Sequence, residues 1–248
     1  MSHFLNYRIK YLIEQKLVYA IGAITLIYKL RENMKKLVSL VSSLLFLTII
    51  SAKAEMGIGI SGAVHLIDGS GSETTRTSGE VNKGSHDETA SVPEIFIETF
   101  NDEGLTFGVS YIPTREMGSK SRTDAESPGD TDSDDGTYTA KAELDNVFKL
   151  YSDIPTGYGS TYIHLGVQHV TLATLESLNS GASYPNKDLW GATVGLGTKG
   201  DIPYGSNLYY KGEITYTNFE SYEADGAGNK VVADLEDYAA RVSIGYKF

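Results

Sequence analysis

Charged residues at alternate positions within otherwise apolar segments are the first candidates for chemistry in this sequence. They are Glu94, Glu98, Lys141, Glu143, Asp145, Lys211, Glu213 and Arg241, with His65 and His164 close to them in the pattern. Carboxylates and cations that share a confined interior must pair or stay hydrated, because an unpaired buried charge costs several kcal/mol. Two interpretations stay open. The set is either a packed network of ion pairs or a polar gate, in which releasing Lys211 or Arg241 opens a narrow path for ions.

A second candidate is the acidic segment 130–136, which offers carboxylates at alternate positions, as calcium loops do. Its candidate ligands are Asp130, Asp132 and Asp134. Counted from Asp130, position six is Asp135 instead of Gly and position twelve is Lys141 instead of Glu, so the sharp turn and the bidentate ligand of an EF-hand are missing. A solvated acidic loop is favoured over a weak calcium site, and no other metal or cofactor is predicted.

The N-terminal fifth of the chain differs from the rest. Met34-Lys35-Lys36 precedes an apolar run from Leu37 to Ile50 and then Ala52-Lys53-Ala54. A charged start, a short apolar stretch and a small-x-small site are typical of a secretory signal peptide. We predict that residues 34–54 are the signal, that cleavage follows Ala54, and that residues 1–33 are an upstream extension. A true anchor helix at 17–30 is the alternative, although that stretch is shorter than a membrane span.

The charge of the remaining chain limits its partners. Residues 1–54 hold eight Lys/Arg and two Asp/Glu, so residues 55–248 retain 13 basic and 30 acidic side chains, a net charge of −17. Such a surface repels the phosphate backbone of nucleic acids and attracts divalent cations. The chain has no cysteine, which excludes disulfides and thiolate metal sites.

The elements that must position the charged residues are strands. Eight segments alternate in hydrophobicity with a period of two, each close to the length of a tilted transmembrane strand. They are 56–67, 92–100, 105–112, 138–151, 160–170, 188–199, 207–219 and 238–248.

The connections between these segments are alternately long and short. Short turns at 101–104, 152–159 and 200–206 separate longer polar segments at 68–91, 113–137, 171–187 and 220–237. Short turns on one side, long loops on the other and an even strand count indicate an eight-stranded antiparallel up-and-down transmembrane β-barrel spanning residues 55–248. We expect the long loops to be exposed and mobile.

The last segment carries a specific resemblance. Phe248 follows Tyr246, Ile244, Val242 and Ala240 at alternate positions. This pattern resembles the terminal-strand signal of bacterial outer-membrane proteins, although Ser243 stands where Gly is frequent. The resemblance implies that Tyr246 and Phe248 are recognised by the barrel assembly machinery.

The whole of residues 55–248 is similar to the small barrels of the Gram-negative outer membrane, a group that includes the OmpA membrane domain, OmpX, OmpW and the opacity-type surface antigens. The subfamily stays open. The resemblance implies a location in the bacterial outer membrane, contact with its lipid and lipopolysaccharide, and divalent cations as candidate ligands of the acidic loops.

A soluble secreted barrel, such as a lipocalin, also alternates and is the structural alternative. Aromatic residues near the predicted strand ends favour the membrane, because they are candidates for the girdles at its two surfaces. They are Tyr111, Tyr138, Tyr151, Tyr162, Trp190, Tyr210, Tyr216, Tyr238 and Tyr246.

Three functions are compatible with such a barrel. A non-catalytic structural or surface-interaction protein is favoured, and a porin-like narrow pore for ions or small solutes is the alternative. The third is an enzyme that modifies lipid A, which would need a nucleophile and a base within hydrogen-bonding reach. Its candidates are His169 with Thr171 and His65 with Asp68, and neither pair forms a motif.

Overall fold

The computed structural model describes residues 55–75, 79, 81–124, 136–177, 184–203, 207–226 and 229–248. The predicted signal peptide, the upstream extension and the candidate calcium loop lie outside these ranges. Within them, no helix is long and apolar enough to cross a membrane.

Ten strands make up almost all of the described chain. They are β1 (Glu55–Thr75), β2 (Val81–Phe100), β3 (Thr106–Ile112), β4 (Arg115–Asp124), β5 (Gly136–Pro155), β6 (Thr161–Ser177), β7 (Lys187–Asp201), β8 (Leu208–Phe219), β9 (Tyr222–Asp225) and β10 (Asn229–Lys247).

The strands form one closed antiparallel sheet. β3 and β4 both pair with β5, and β8 and β9 both pair with β10, so each of these couples is one interrupted strand of the barrel. The ten strands therefore make the eight transverse strands of the barrel, six continuous and two interrupted, which we call staves. The sheet closes where β1 pairs with β10, from Gly57 opposite Lys247 to Thr75 opposite Asn229. The predicted fold class, an eight-stranded antiparallel barrel, is confirmed by this pairing.

The hairpins at one end are much longer than the sequence predicts. β1 and β2 stay paired as far as Thr74 opposite Val81, so most of the expected loop 68–91 is strand. β4, β9 and the first residues of β10 likewise lie in segments expected to be loops. Those loop predictions are wrong, because hairpins that project into water carry polar side chains on both faces and show no hydrophobic alternation.

The opposite end holds tight turns, as predicted. In the turn after β2, the Asn101 side-chain oxygen accepts hydrogen bonds from the backbone N–H groups of Glu103 and Leu105, and Gly104 has a φ of 80°. Phe248 lies at this end, where its N–H donates to the Met56 carbonyl over 2.9 Å.

The outer face of the barrel exposes large apolar side chains around its circumference. They include Ile58, Ile60, Val64, Ile95, Ile97, Val109, Ile163, Leu165, Leu196, Ile214, Val242 and Ile244. On β10 this band runs between Tyr238 and Tyr246. With a rise of about 3.3 Å per residue and a tilt of about 40°, it is about 20 Å tall, close to the roughly 25 Å apolar band of transmembrane barrels.

Aromatic residues border this band on the outer face. Trp190, His169, Phe148 and Tyr111 are consecutive neighbours across β7, β6, β5 and β3. The rings of Trp190 and His169 lie 4.8 Å apart, and those of Tyr111 and Phe148 lie 5.2 Å apart. The row has the position of an interfacial girdle.

Two of the predicted girdle residues point inward instead. Tyr151 and Tyr162 are 3% and 1% exposed, and each ring covers a glycine of the neighbouring strand, Gly108 and Gly197 respectively. Because a glycine leaves space on the inner face, an aromatic ring can occupy it. The side chain of Tyr138 lies outside the described residues.

We expect Val242→Arg to lower the free energy of unfolding in lipid vesicles by about 2–4 kcal/mol, since Val242 is 71% exposed at the middle of the apolar band. Asn82→Arg, at an exposed position in the long β1–β2 hairpin, is the control and should change little. Denaturant titration in vesicles measures both. Equal stability of the two variants would contradict a hydrocarbon environment at Val242.

Candidate functional site

Inward-facing positions of five staves bring charged groups together near the middle of the barrel. β2 supplies Glu94 and Glu98, β5 supplies Lys149 and Asp153, β6 supplies His164, β8 supplies Lys211 and Glu213, and β10 supplies Arg241. All eight side chains are buried. Alternation of side chains along each strand places them on the inner face, where a barrel of this size has room for side chains only. We call this set the central network.

Lys211 lies at one centre of the central network. Its Nζ is 3.0 Å from Glu98 Oε2 and 2.6 Å from Asp153 Oδ2. Glu98 also accepts hydrogen bonds of 2.7 Å from the hydroxyls of Tyr151 and Tyr209. The Lys211 ammonium lies 4.9 Å from the centre of the Tyr151 ring. A buried charge surrounded in this way is compensated by paired charges, hydroxyl dipoles and an aromatic face.

Glu94 forms the second centre. Arg241 Nε is 2.7 Å from Glu94 Oε2, and Lys149 Nζ is 3.0 Å from Glu94 Oε1. Arg241 also stands directly opposite Glu213 in the pairing of β10 with β8, with 3.6 Å between its NH1 atom and Glu213 Oε2. Arg241 thus connects Glu94 of β2 with Glu213 of β8.

A smaller cluster lies farther toward the long hairpins. Asp237 accepts a 2.8 Å hydrogen bond from the Arg115 guanidinium, and His65 Nδ1 lies 2.9 Å from the same carboxylate. All three side chains are buried. On the neighbouring strands, the Gln168 amide of β6 donates hydrogen bonds to the hydroxyls of Thr193 on β7 and Thr217 on β8. Polar groups therefore extend the filled interior upward from the central network.

Apolar side chains pack above and below these polar groups. Toward the long hairpins, a continuous cluster contains Ile67, Ile112, Met117, Leu144, Val147, Val170, Leu172, Leu189, Phe219, Tyr222, Ala224 and Leu235. Toward the short turns, Phe96, Phe100 and Tyr209 form a second cluster. A cavity of about 280 Å³ lies beyond it, lined among others by Phe100, Lys199 and Lys247. Apolar side chains thus flank the charges toward both ends, and the second cluster interleaves with them, since Phe96 lies between Glu94 and Glu98 on β2 and the Tyr209 hydroxyl donates to Glu98.

Five of the eight predicted interior charges meet in the central network, and three do not. Lys141 ion-pairs with Glu143 over 2.8 Å and with Glu116 over 3.1 Å at the base of a long hairpin, where its side chain is partly exposed. The hydrogen bonds that Lys141 donates to Glu143 and to Glu116 raise its pKa. Asp145 accepts a hydrogen bond from the Thr114 hydroxyl.

A β-bulge explains the different placement of Lys141, Glu143 and Asp145. The register of β5 shifts between Asp145 and Phe148, and Asn146 has a φ of 52°. Since one inserted residue reverses the alternation, Leu144 faces the interior before the bulge, whereas Lys141, Glu143 and Asp145 face away from it. Strict period-two reading across the bulge cannot place both halves of β5 correctly.

Other interior charges escaped the sequence analysis. Lys149 and Asp153 share the inner face of β5 with Tyr151, but the sequence predicts Tyr151 in the outer girdle and Asp153 in a turn. Arg115 and Asp237 lie in segments that were expected to be loops, and no hydrophobic alternation marks them as inward-facing.

The candidate catalytic pairs do not form nucleophile and base. His65 faces inward to Asp237, whereas Asp68 lies on the exposed side of β1. The Thr171 hydroxyl donates to Asp188 over 2.7 Å, and His169 Nε2 is 3.9 Å from the same carboxylate. Because the Thr171 hydroxyl donates to Asp188 and not to the His169 imidazole, His169 does not stand as the base that would activate Thr171 as a nucleophile.

The two residues of the predicted assembly signal are accessible. Tyr246 and Phe248 lie on the outer face at the short-turn end, and both side chains are exposed. Their accessibility is compatible with recognition, which stays a prediction.

Comparisons with known proteins give fold similarity only. No family model and no curated protein matches the chain. Among solved structures, Neisserial surface protein A is 12% identical with a TM-score of 0.38, over 79% of this chain and 99% of its own. The outer membrane protein AlkL in lipid bilayers is 11% identical with a TM-score of 0.42, over 79% and 90%. Ail, the attachment invasion locus protein of Yersinia pestis, in complex with the heparin analogue sucrose octasulfate, is 11% identical with a TM-score of 0.33, over 75% and 99%.

These structures are of the class that the C-terminal pattern predicted, small outer-membrane barrels, and the subfamily stays open. The eight-stranded fold of this chain rests on its own strand pairing.

We expect Lys211→Met to lower the free energy of unfolding by about 3–5 kcal/mol, because it leaves the buried carboxylates of Glu98 and Asp153 without their shared cation. Lys141→Met makes the same change at the partly exposed pair and should have little effect. Urea titration in detergent micelles measures both. A similar small loss in both variants would show that Lys211 is not buried among charges.

Proposed function

We propose that this chain is an integral protein of the bacterial outer membrane that neither conducts nor catalyses. Its role is structural or lies in interactions of the long hairpins presented at the cell surface. The observation that carries the proposal is the filled interior, in which a network of ion pairs packs against an apolar cluster below the long hairpins and against aromatic rings toward the short turns.

The outer face supports a membrane location. Hydrocarbon offers no hydrogen bonds, so a sheet can cross it only when no strand edge is left unpaired. The pairing of β1 with β10 meets that condition, and the apolar band covers the same staves. A lipocalin-like soluble barrel would instead place its polar residues outside and its apolar residues inside.

The long hairpins are the remaining surface on which a function can rest. Beyond Asp68, β1 stays paired with β2 for six more residues, up to Thr74, and with β10 for seven, up to Thr75. Acidic residues predominate over basic ones in residues 55–248. Divalent cations could therefore bridge these hairpins to the phosphates of lipopolysaccharide, and cationic envelope partners could bind them directly.

A narrow pore is the second candidate function, favoured by the polar column that runs from the central network to Asp237. In this interpretation, the ion pairs of Arg241 are the gate. The apolar cluster below the long hairpins opposes it, since ions entering from that end must cross aliphatic side chains that offer no ligands. Modification of lipid A has no support in the contacts of His65, His169 or Thr171.

Single-channel conductance of refolded residues 55–248 in a planar bilayer tests the proposal. We expect no discrete steps from the wild type, because the described interior is filled. Arg241→Ala removes the side chain that joins Glu94 and Glu213 and should leave the recording silent, since the apolar cluster below the long hairpins remains.

Protease resistance of the same protein in vesicles shows that it is inserted, so silence cannot be attributed to failed insertion. Regular conductance steps in the wild type that change in Arg241→Ala would contradict the closed barrel and favour the gated pore.

A further inference from the structure

Three side chains of the central network converge within a small volume. Asp153 of β5, His164 of β6 and Glu213 of β8 each direct one atom able to bind a metal into it, and these atoms lie within 4.8 Å of one another. His164 Nδ1 is 2.7 Å from Asp153 Oδ1 and 3.0 Å from Glu213 Oε1. The three side chains are at most 3% exposed.

Glycines of the intervening strand make this approach feasible. Asp153 and His164 are direct neighbours in the pairing of β5 with β6, but β7 separates His164 from Glu213. The β7 residues opposite them are Gly195 and Gly197, which place no side chain of β7 between His164 and Glu213, although the Tyr162 ring covers Gly197. Glu213 can therefore reach the imidazole across the strand.

Hydrogen bonding does not satisfy this arrangement. An imidazole Nδ1 carries at most one hydrogen, so it cannot donate to both carboxylates. Glu213 Oε1 is buried and meets no donor in strict hydrogen-bonding geometry among the described residues, and the Tyr162 hydroxyl lies near the same carboxylate. The oxygen nevertheless points at the same nitrogen, as two ligands of one cation do.

The charges of the central network lead to the same site. Four carboxylates, Glu94, Glu98, Asp153 and Glu213, face three permanent cations, Lys149, Lys211 and Arg241. With a neutral imidazole these eight groups carry one negative charge in excess, which the partly buried Lys199 offsets only from the short-turn side, through its interaction with Asp153 and Glu98. A buried excess charge is costly unless a further cation compensates it.

We propose that Asp153, His164 and Glu213 bind a divalent transition-metal cation, for which Zn²⁺ is the fitting probe. One imidazole nitrogen and two carboxylate oxygens are ligands that zinc accepts at about 2.0–2.2 Å. Two ligands at about 2.1 Å from a tetrahedral zinc are about 3.4 Å apart, so the two oxygens, which lie 2.7 and 3.0 Å from His164 Nδ1, would each move outward by less than about 1 Å on binding.

The outer contacts of the ligands fit the same assignment. Lys211 Nζ donates to Asp153 Oδ2, and Arg241 lies 3.6 Å from Glu213 Oε2, so each carboxylate is oriented through the oxygen that would not bind the metal. The cation would tie β5, β6 and β8 together. Because apolar side chains flank the charges toward both ends, it would be acquired while the barrel folds.

The test uses residues 55–248, refolded after removal of metal by a chelator and again with one equivalent of Zn²⁺. After dialysis, bound zinc is measured by elemental analysis, and the stability of the protein by its midpoint of urea unfolding. We expect about one zinc per chain and a higher midpoint with zinc.

Two variants identify the ligands, and one serves as the control. His164→Asn and the isosteric Glu213→Gln should retain no zinc and lose the shift in midpoint, with circular dichroism showing that each still forms a barrel. His169→Asn changes a histidine on the outer face and should behave as the wild type.

Two results would overturn the site. In one, the wild type retains no zinc, and a proton on His164 is then the compensating charge. In the other, His164→Asn or Glu213→Gln retains as much zinc as the wild type, and the metal is then bound by acidic residues elsewhere.

Discussion

The pairing of β1 with β10 is the interaction on which the rest of this structure depends. It leaves no strand edge along the band of exposed apolar side chains, where a bilayer would offer no hydrogen bonds to replace those of a missing neighbour. Closure also defines an inside. Every inward position of the eight staves must then be filled, since a barrel of this size encloses room for side chains and little else.

Three kinds of side chain fill this interior, one after another along the barrel axis. Aromatic rings cover glycines near the short turns, ion pairs occupy the middle, and aliphatic side chains close the end below the long hairpins. Lys211 and Arg241 each contact carboxylates from other strands, so the charges connect distant staves as well as neutralising one another. A layered interior of this kind favours a protein that acts through its surface over one that transports through its centre.

Period-two alternation was sufficient to predict the central part of each stave, the closed eight-stranded fold and the inward positions of Glu94, Glu98, Lys211, Glu213 and Arg241. It failed where the alternation is interrupted or carries no hydrophobic contrast. The bulge at Asn146 reverses the faces of Lys141, Glu143 and Asp145, and the polar ladders beyond the apolar band conceal Arg115 and Asp237. The proximity of His164 to Glu213 depends on the small residues of β7, which hydrophobic alternation does not reveal. The signal peptide and the recognition of Tyr246 and Phe248 stay predictions.

Disulfide cross-linking between β1 and β10 tests closure most directly. Because the chain contains no cysteine, the introduced pair supplies the only thiols that can react. Val64 and Ala240 are direct neighbours on the outer face, so their Cβ atoms should be about 4.5–5.5 Å apart. Oxidation of the Val64→Cys/Ala240→Cys variant in vesicles should give an intramolecular disulfide in nearly every chain, and Val64→Cys/Ile244→Cys should give none. Cross-linking of the second variant in preference to the first, or of neither, would contradict the closed barrel and the register on which the account rests.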